Sequence, residues 1–367
     1  MSTQQFQLAH HASPRWAAMA LGEVMLRFDP GEGRVRNARQ FQVWEGGGEY
    51  NVARGLSSTF GHATAVLTAL PRNELGLLAH QLIQAGGVDS SQIVWRGYDG
   101  IGRNTRMGLN FTERGFGVRA PLGVSDRAYS AASQLQADEY DWDALFGVHG
   151  VRWLHTGGIF AALSEHSAQT AIAAVRAARR HGVAVSYDLN YRASLWNSHP
   201  DPDAARHANC AIAAECDLLV GDEYSFGACL GMDLADLGKR ETPMDVGPAD
   251  AAALRAMERF PNLQAVAFTL RDASNAARNG WAGALRNREA LFVSAAREVD
   301  LLDRVGGGDA FVAGVVHALL EGLGEQAAVE LGAAHGALAM STPGDAACTS
   351  REEVEAVARG DGAAARR

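Results

Sequence analysis

Residues 303–311 read Asp-Arg-Val-Gly-Gly-Gly-Asp-Ala-Phe and carry the strongest chemical signal in the chain. Gly306, Gly307 and Gly308 stand before a helical pattern in which Phe311, Val315 and Leu319 recur at four-residue spacing. A glycine run at a helix start exposes successive backbone N–H groups with no Cβ in the way. Those donors and the helix dipole favour an anion. A carboxylate there, Asp309, makes chemical sense beside a hydroxyl that attacks a phosphate. It would accept the hydroxyl proton while the glycine amides stabilise charge developing on the phosphoryl group. A Gly-rich turn before an ordinary helix is the plainer reading, and this segment alone leaves it open.

Residues 45–51, Glu-Gly-Gly-Gly-Glu-Tyr-Asn, open a second helix with glycines. Val52, Ala53, Leu56 and Phe60 then form one apolar face, which ends at Gly61. Glu49 and Asn51 are polar groups of the kind that bind sugar hydroxyls. By itself this segment also reads as a helix N-terminus with Glu49 complementing the dipole.

Together the two segments resemble the signature regions of the ribokinase-like (phosphofructokinase-B) carbohydrate kinases. The first is an early G-G-x-x-x-N, running from Gly46 on through Gly61 to Gly76; the second is a late D-x-x-G-x-G-D-x-F. The resemblance covers about residues 17–357. It implies a kinase that uses ATP and Mg²⁺, with Asp309 as catalytic base and Gly306, Gly307 and Gly308 as the anion hole. The family usually has Ala at position 307. The resemblance also implies that Gly46, Gly47 and Asn51 contact the sugar. Thr269 and Arg271 fall where the family binds nucleotide phosphates; many members have Gly in place of Arg271.

Residues 186–196 resemble the D-x-N-x-R-x-x-x-W stretch of the 2-keto-3-deoxygluconate kinases in that family, through Asp188, Asn190, Arg192 and Trp196. Asp188 and Asn190 leave the C-terminal end of a strand, where doubly wound sheets place ligands; Asn190 is assigned to the nucleotide side. Arg192 can hold a carboxylate in a bidentate fork, with a surface ion pair as the alternative. Arg127 resembles a second sugar-acid arginine of that subfamily. The implied reaction moves the γ-phosphoryl group of ATP to the primary hydroxyl of 2-keto-3-deoxygluconate or a similar sugar acid. Two departures keep alternatives open. Asn110 and Ser125 stand where the subfamily carries lid tyrosines, which leaves a kinase for a neutral sugar such as fructose or ribose. The family's N-x-x-E motif is missing near residues 220–224, so Asp222 and Glu223 are expected to hold Mg²⁺ through water. A sugar-binding regulator without catalysis is the remaining alternative. Residues 341–345 resemble the adenine-side loop of the subfamily.

The elements that must position these residues follow from periodicity. Apolar strand-like runs at 64–70, 151–155, 183–187, 218–220 and 265–270 alternate with helical segments such as 164–180. That alternation predicts βαβ units and a mostly parallel sheet with helices on both faces. The family resemblance makes this an α/β ribokinase-like three-layer α/β/α sandwich with a small β-sheet lid. Lid segments are expected at about 28–44 and 93–124, inside a kinase domain spanning 16–360. Residues 1–15 read as a disordered leader. Pairing of lids, as the family implies, would make a homodimer.

Bulk properties exclude other classes. Lys and Arg total 33 against 42 Asp and Glu, a net charge of −9, so nothing draws the chain to nucleic acid or an anionic membrane. No apolar run approaches the ~20 residues of a membrane span and no signal segment precedes the first strand, which places the protein in the cytoplasm. The four cysteines form no C-x-x-C and the twelve histidines no H-E-x-x-H, so no zinc is assigned. No G-x-G-x-x-G follows the first strand, which rejects a dinucleotide-dependent dehydrogenase.

Overall fold

The computed structural model describes residues 6–8, 13–196, 201 and 203–361. In chain order its strands are β1 (Trp16–Leu21), β2 (Met25–Asp29), β3 (Gln42–Gly46), β4 (Thr64–Pro71), β5 (Ile93–Arg96), β6 (Leu109–Glu113), β7 (Leu122–Asp126), β8 (Val151–Gly157), β9 (Ala184–Asp188), β10 (Leu218–Val220), β11 (Ala265–Asp272), β12 (Arg278–Asn287), β13 (Leu291–Val293) and β14 (Arg297–Asp300). Ten of them form one sheet, ordered β13-β12-β11-β10-β9-β8-β1-β4-β5, with β14 on β12. From β11 across to β5 the pairing is parallel; β12, β13 and β14 run antiparallel. The other four make a separate sheet, β3-β2-β6-β7, which is the lid.

The central strands are apolar on both sides because both sides are covered. β4 is buried at every position. The Glu165–Arg180 helix starts where the Ser164 hydroxyl accepts the Ser167 N–H, and it stops at His181 and Gly182. It packs on one face with Ala204–Ala213, Glu223–Leu230 and Gly247–Arg259. Gly48–Arg54, Gly307–Leu320 and Glu325–Ala339 pack on the other. The last two helices touch at Gly314, where a Cβ would come within 2.7 Å of the Gly332 Cα. These layers are the expected α/β/α sandwich.

Three expectations change. The second lid segment does not begin at residue 93: β5 pairs in parallel with β4 in the main sheet, where Ile93 joins an apolar cluster with Leu70 and Val88. The lid strands also extend past both expected segments, from Met25 to Gly46 and from Leu109 to Asp126, and β2 pairs in parallel with β6. Part of the leader docks on the core. Phe6 stacks on Trp153 at 5.4 Å, and the Gln7 N–H donates to Gln264 Oε1 at 2.8 Å. Residues 1–5 and 9–12 of that leader lie outside the described residues. No helix among the described residues is long and apolar enough to cross a membrane.

One buried charge cluster locks the lid to the sandwich. Arg27, on β2, is fully buried. Its Nη2 stands 2.5 Å from Asp303 Oδ2 and its Nη1 2.6 Å from Asp345 Oδ1. Asp29 lies 3.5 Å from the same guanidinium and takes Arg114 at 2.7 Å. Removing one partner of a buried pair strands the others without compensation. Arg27→Met is therefore expected to lower stability by on the order of 3–5 kcal/mol in urea denaturation. A loss below about 1 kcal/mol would mean that the cluster does not lock the lid in place.

Candidate active site

The C-terminal ends of β1, β8 and β9 meet two helix N-termini, Gly48–Arg54 and Gly307–Leu320, beneath the lid. Between them lies a cleft of about 690 Å³. Asp309 sits in the first turn of the second helix and faces this cleft. Asn51 Nδ2, from the first helix, donates to Asp309 Oδ2 at 2.7 Å. Gly48 lies between the two helix starts: a Cβ there would stand in ordinary contact, 3.6 Å from both Asp309 Oδ1 and Asn190 Nδ2.

The glycine turn has steric causes that differ along its length. Gly306 has φ +79°, and a Cβ on it would lie 1.7 Å from the Asp345 carbonyl oxygen, so only glycine fits. At Gly307 a Cβ would stand 2.9 Å from Met340 Cγ, which explains why this chain does without the usual alanine. Gly308 has open space around it and lines the cleft.

Carboxyl groups crowd the floor. Burial pushes Asp309 up to about 7; Asp188 and Asp345 add to the shift, while the Asn51 hydrogen bond and Arg192 oppose it. Asp188 is raised to about 6, by burial first and then by Asp222. Asp345 is likewise raised to about 6 by burial, against the pull of Arg27. Cations line the rim instead. Arg192 is exposed and makes one hydrogen bond among the described residues, to the Tyr191 carbonyl at 3.0 Å. Arg271 lies over the Trp281 ring, 5.3 Å from its centroid, with no acidic partner among the described residues. Its pKa falls to about 10 through burial and the neighbouring charge of Arg304. Arg304 lines the same cleft.

Most residues singled out from sequence converge here: Gly47, Asn51, Asn110, Arg127, Asn190, Arg192, Arg271, Gly306, Gly308 and Asp309 all line the cleft. Gly47 has φ +147° and its Cβ would fall 2.0 Å from the Glu23 carbonyl oxygen. Asn190 also has positive φ, +31°, with its N–H donating to Asp188 Oδ1 at 2.9 Å. Asn110 accepts from Ser125 and donates to Thr112 on the inner face of the lid. Thr269 lines an adjoining cleft of about 310 Å³ with Asp188, Asp222 and Gly308.

Other placements differ from expectation. Gly46 packs on Asp345, which a Cβ would approach to 2.2 Å, and does not line the cleft. Glu49 turns away beneath Gly22 and Gly157, and burial raises its carboxyl to about 8. Arg127 is already paired: its Nε donates to Glu23 Oε2 at 2.7 Å, and its Nη2 donates to the same oxygen. Glu223 is gripped by Arg240 at 2.5 and 2.7 Å and lines neither cleft, so it is not placed to hold a metal. Asp222 caps the Glu223–Leu230 helix and does face the smaller cleft, across from Asp188. Asp188 and Asp222 line that cleft together, and carboxylates of this kind could serve as hard oxygen donors to a cation such as Mg²⁺. Sequence reading missed Arg304, which occupies a free x position of its motif, and the burial of Glu23, whose partner is 104 residues away.

Carboxyl-selective NMR should find Asp309 titrating near pH 7. In Asn51→Leu its pKa should move higher, because the lost hydrogen bond stabilised the ionised form. A wild-type value near the ordinary ~4 would contradict the buried placement.

Known proteins share this arrangement. The profile of the "pfkB family carbohydrate kinase" matches residues 17–352. The chain is 30% identical to a 2-dehydro-3-deoxygalactonokinase of Haloferax volcanii, over 93% of this chain and 96% of that protein. The crystal structure of a 2-dehydro-3-deoxygluconokinase from Thermotoga maritima superposes with a TM-score of 0.84 at 31% identity, covering 94% of this chain and 99% of that one. A ribokinase-like structure from E. coli that holds ATP and Mg²⁺ shares the fold, with a TM-score of 0.73 at 16% identity. With the paired glycine-opened helices, Asp309 between them and a profile match over residues 17–352, the chain belongs to the pfkB family of carbohydrate kinases.

Proposed function

We propose that this kinase transfers the γ-phosphoryl group of ATP to the primary hydroxyl of 2-keto-3-deoxygluconate or a closely similar sugar acid. Arg192 carries the reading. Its guanidinium stands at the rim of the cleft that holds Asp309 and forms no ion pair among the described residues. A carboxylate can take that fork in two parallel hydrogen bonds. The relatives named for 2-dehydro-3-deoxy acids support the same substrate class.

The roles follow from placement. Asn51 holds the Asp309 carboxylate toward the space between the two helix starts, where it takes the proton of the attacking hydroxyl. The amides at Gly306, Gly307 and Gly308, at the positive end of a helix, receive the charge that builds on the phosphoryl oxygens. Arg271 and Arg304 lie on the nucleotide side and meet phosphate with charge no carboxylate has neutralised. Asp188 and Asp222 would hold Mg²⁺, which neutralises phosphate charge when bound. The lid strands β6 and β7 cover the sugar and exclude water. We also read β7, exposed along its length with Leu122 and Val124 outward, as the surface through which two lids pair.

A neutral sugar such as fructose or ribose is the second reading. It is favoured by Glu23, which balances the charge of Arg127, and by the Asn110–Ser125 contact where a tyrosine would reach an acid.

ATP-dependent phosphorylation should be measured across 2-keto-3-deoxygluconate, its galactonate epimer, fructose and ribose. We expect turnover of a keto-deoxy acid, reduced about 10²–10⁴-fold in Asp309→Asn. Arg192→Ala should lower kcat/KM for the acid roughly ten- to hundredfold, as expected for about 1.5–3 kcal/mol of charged hydrogen bonding, and barely affect a neutral sugar. Turnover confined to a neutral sugar would overturn the substrate assignment. The acid limb of kcat/KM should fall near pH 7, since Asp309 must lose its proton to act as a base. A flat profile through neutrality would remove it from that role.

A further inference from the structure

We propose that His62, His317 and Glu321 form a site for a divalent transition-metal ion with nitrogen and oxygen ligands, zinc foremost, at the end of the Gly307–Leu320 helix remote from the cleft. His317 and Glu321 are spaced i, i+4, so their side chains share one helix face. His62 comes from the loop after the π-helical turn Gly55–Thr59 and brings its Nε2 to 2.8 Å from His317 Nδ1. One ligand atom from each of the three lies within 4.8 Å of the others. Around a tetrahedral zinc with bonds of about 2.0–2.1 Å, two imidazole nitrogens sit roughly 3.3 Å apart. The two rings thus need to separate by only about half an ångström. Glu321 is exposed and can swing in, which also gives the ion a path from solvent.

The surroundings suit a ligand set of this kind. Phe60 stacks on the His317 ring at 4.1 Å and holds its plane. The helix C-terminus adds partial negative charge. Two cations oppose it: Arg152, which donates to the Leu320 carbonyl, and Arg351, which pairs with Glu355. Three ligands and an open fourth position describe a site of moderate affinity. The same aromatic layer reaches toward the catalytic end, since Phe60 meets His335 edge-on and His335 Nδ1 lies 2.8 Å from the Ala310 carbonyl.

The test is titration of the chelator-stripped full chain with Co²⁺ in Mg²⁺-free buffer, read as the visible band of tetrahedral cobalt. One equivalent should bind, Zn²⁺ should bleach the band, and Zn²⁺ should raise Tm through linkage. His62→Ala should abolish both the band and the Tm shift, and the surface change Glu321→Gln should weaken Co²⁺ binding at least tenfold. Asp309→Asn should leave the band intact, which separates this site from the cleft. No tetrahedral band in the wild type, or the same band in His62→Ala, would overturn the proposal. So would Co²⁺ binding unchanged in Glu321→Gln, even if His62→Ala proved unstable.

Discussion

The architecture depends on one guanidinium. Arg27 leaves the lid strand β2 and ends in a fully buried ring of carboxylates contributed by Asp29, Asp303 and Asp345. Two of these acids bracket the Gly306–Gly308 turn. Asp303 begins the segment that leads into Gly306, and Asp345 lies against both Gly46 and Gly306. The first aspartate of the late motif therefore works as an anchor. Its charge is spent on Arg27, which fixes where the lid sheet meets the helix that carries Asp309. A buried charge needs partners with good geometry, so the arrangement tolerates few alternatives.

The cleft divides charge by depth. Asp345 is buried, Asp309 and Asp188 are half-buried beside it, and desolvation raises the proton affinity of all three. Arg192, Arg271 and Arg304 line the same cleft. An anion entering the cleft would thus meet positive charge first, while Asp309 beneath has its carboxyl raised to about 7. A chain with a net charge of −9 can in this way hold a polyanion such as a nucleotide: local placement outweighs the total.

Much of this was legible in the sequence. The glycine-opened helix starts, the alternation of apolar runs with helices and the three polar groups Asn51, Asn190 and Asp309 all carry local signatures, because turns, caps and helix starts are set by neighbours along the chain. What pairs with what was not legible. Glu223 looked available for a metal until Arg240 was found holding it, and Arg127 looked free until Glu23 did the same. Glu49 offered a polar group of the kind that binds sugar hydroxyls, yet it turns inward beneath Gly22 and Gly157. β5 read as part of the lid, yet Ile93 finds more apolar surface beside β4.

By itself, then, the sequence determined the class of fold and the two glycine-opened helix starts, since each is written in a short run of residues whose backbone preferences act locally. Only the tertiary structure decided which charges are free to meet a ligand and which are already neutralised. It also decided that His62 comes to face His317 across 255 positions of chain. Such pairings are set by long-range packing, and electrostatic energies depend on distance and burial, neither of which spacing along the chain encodes.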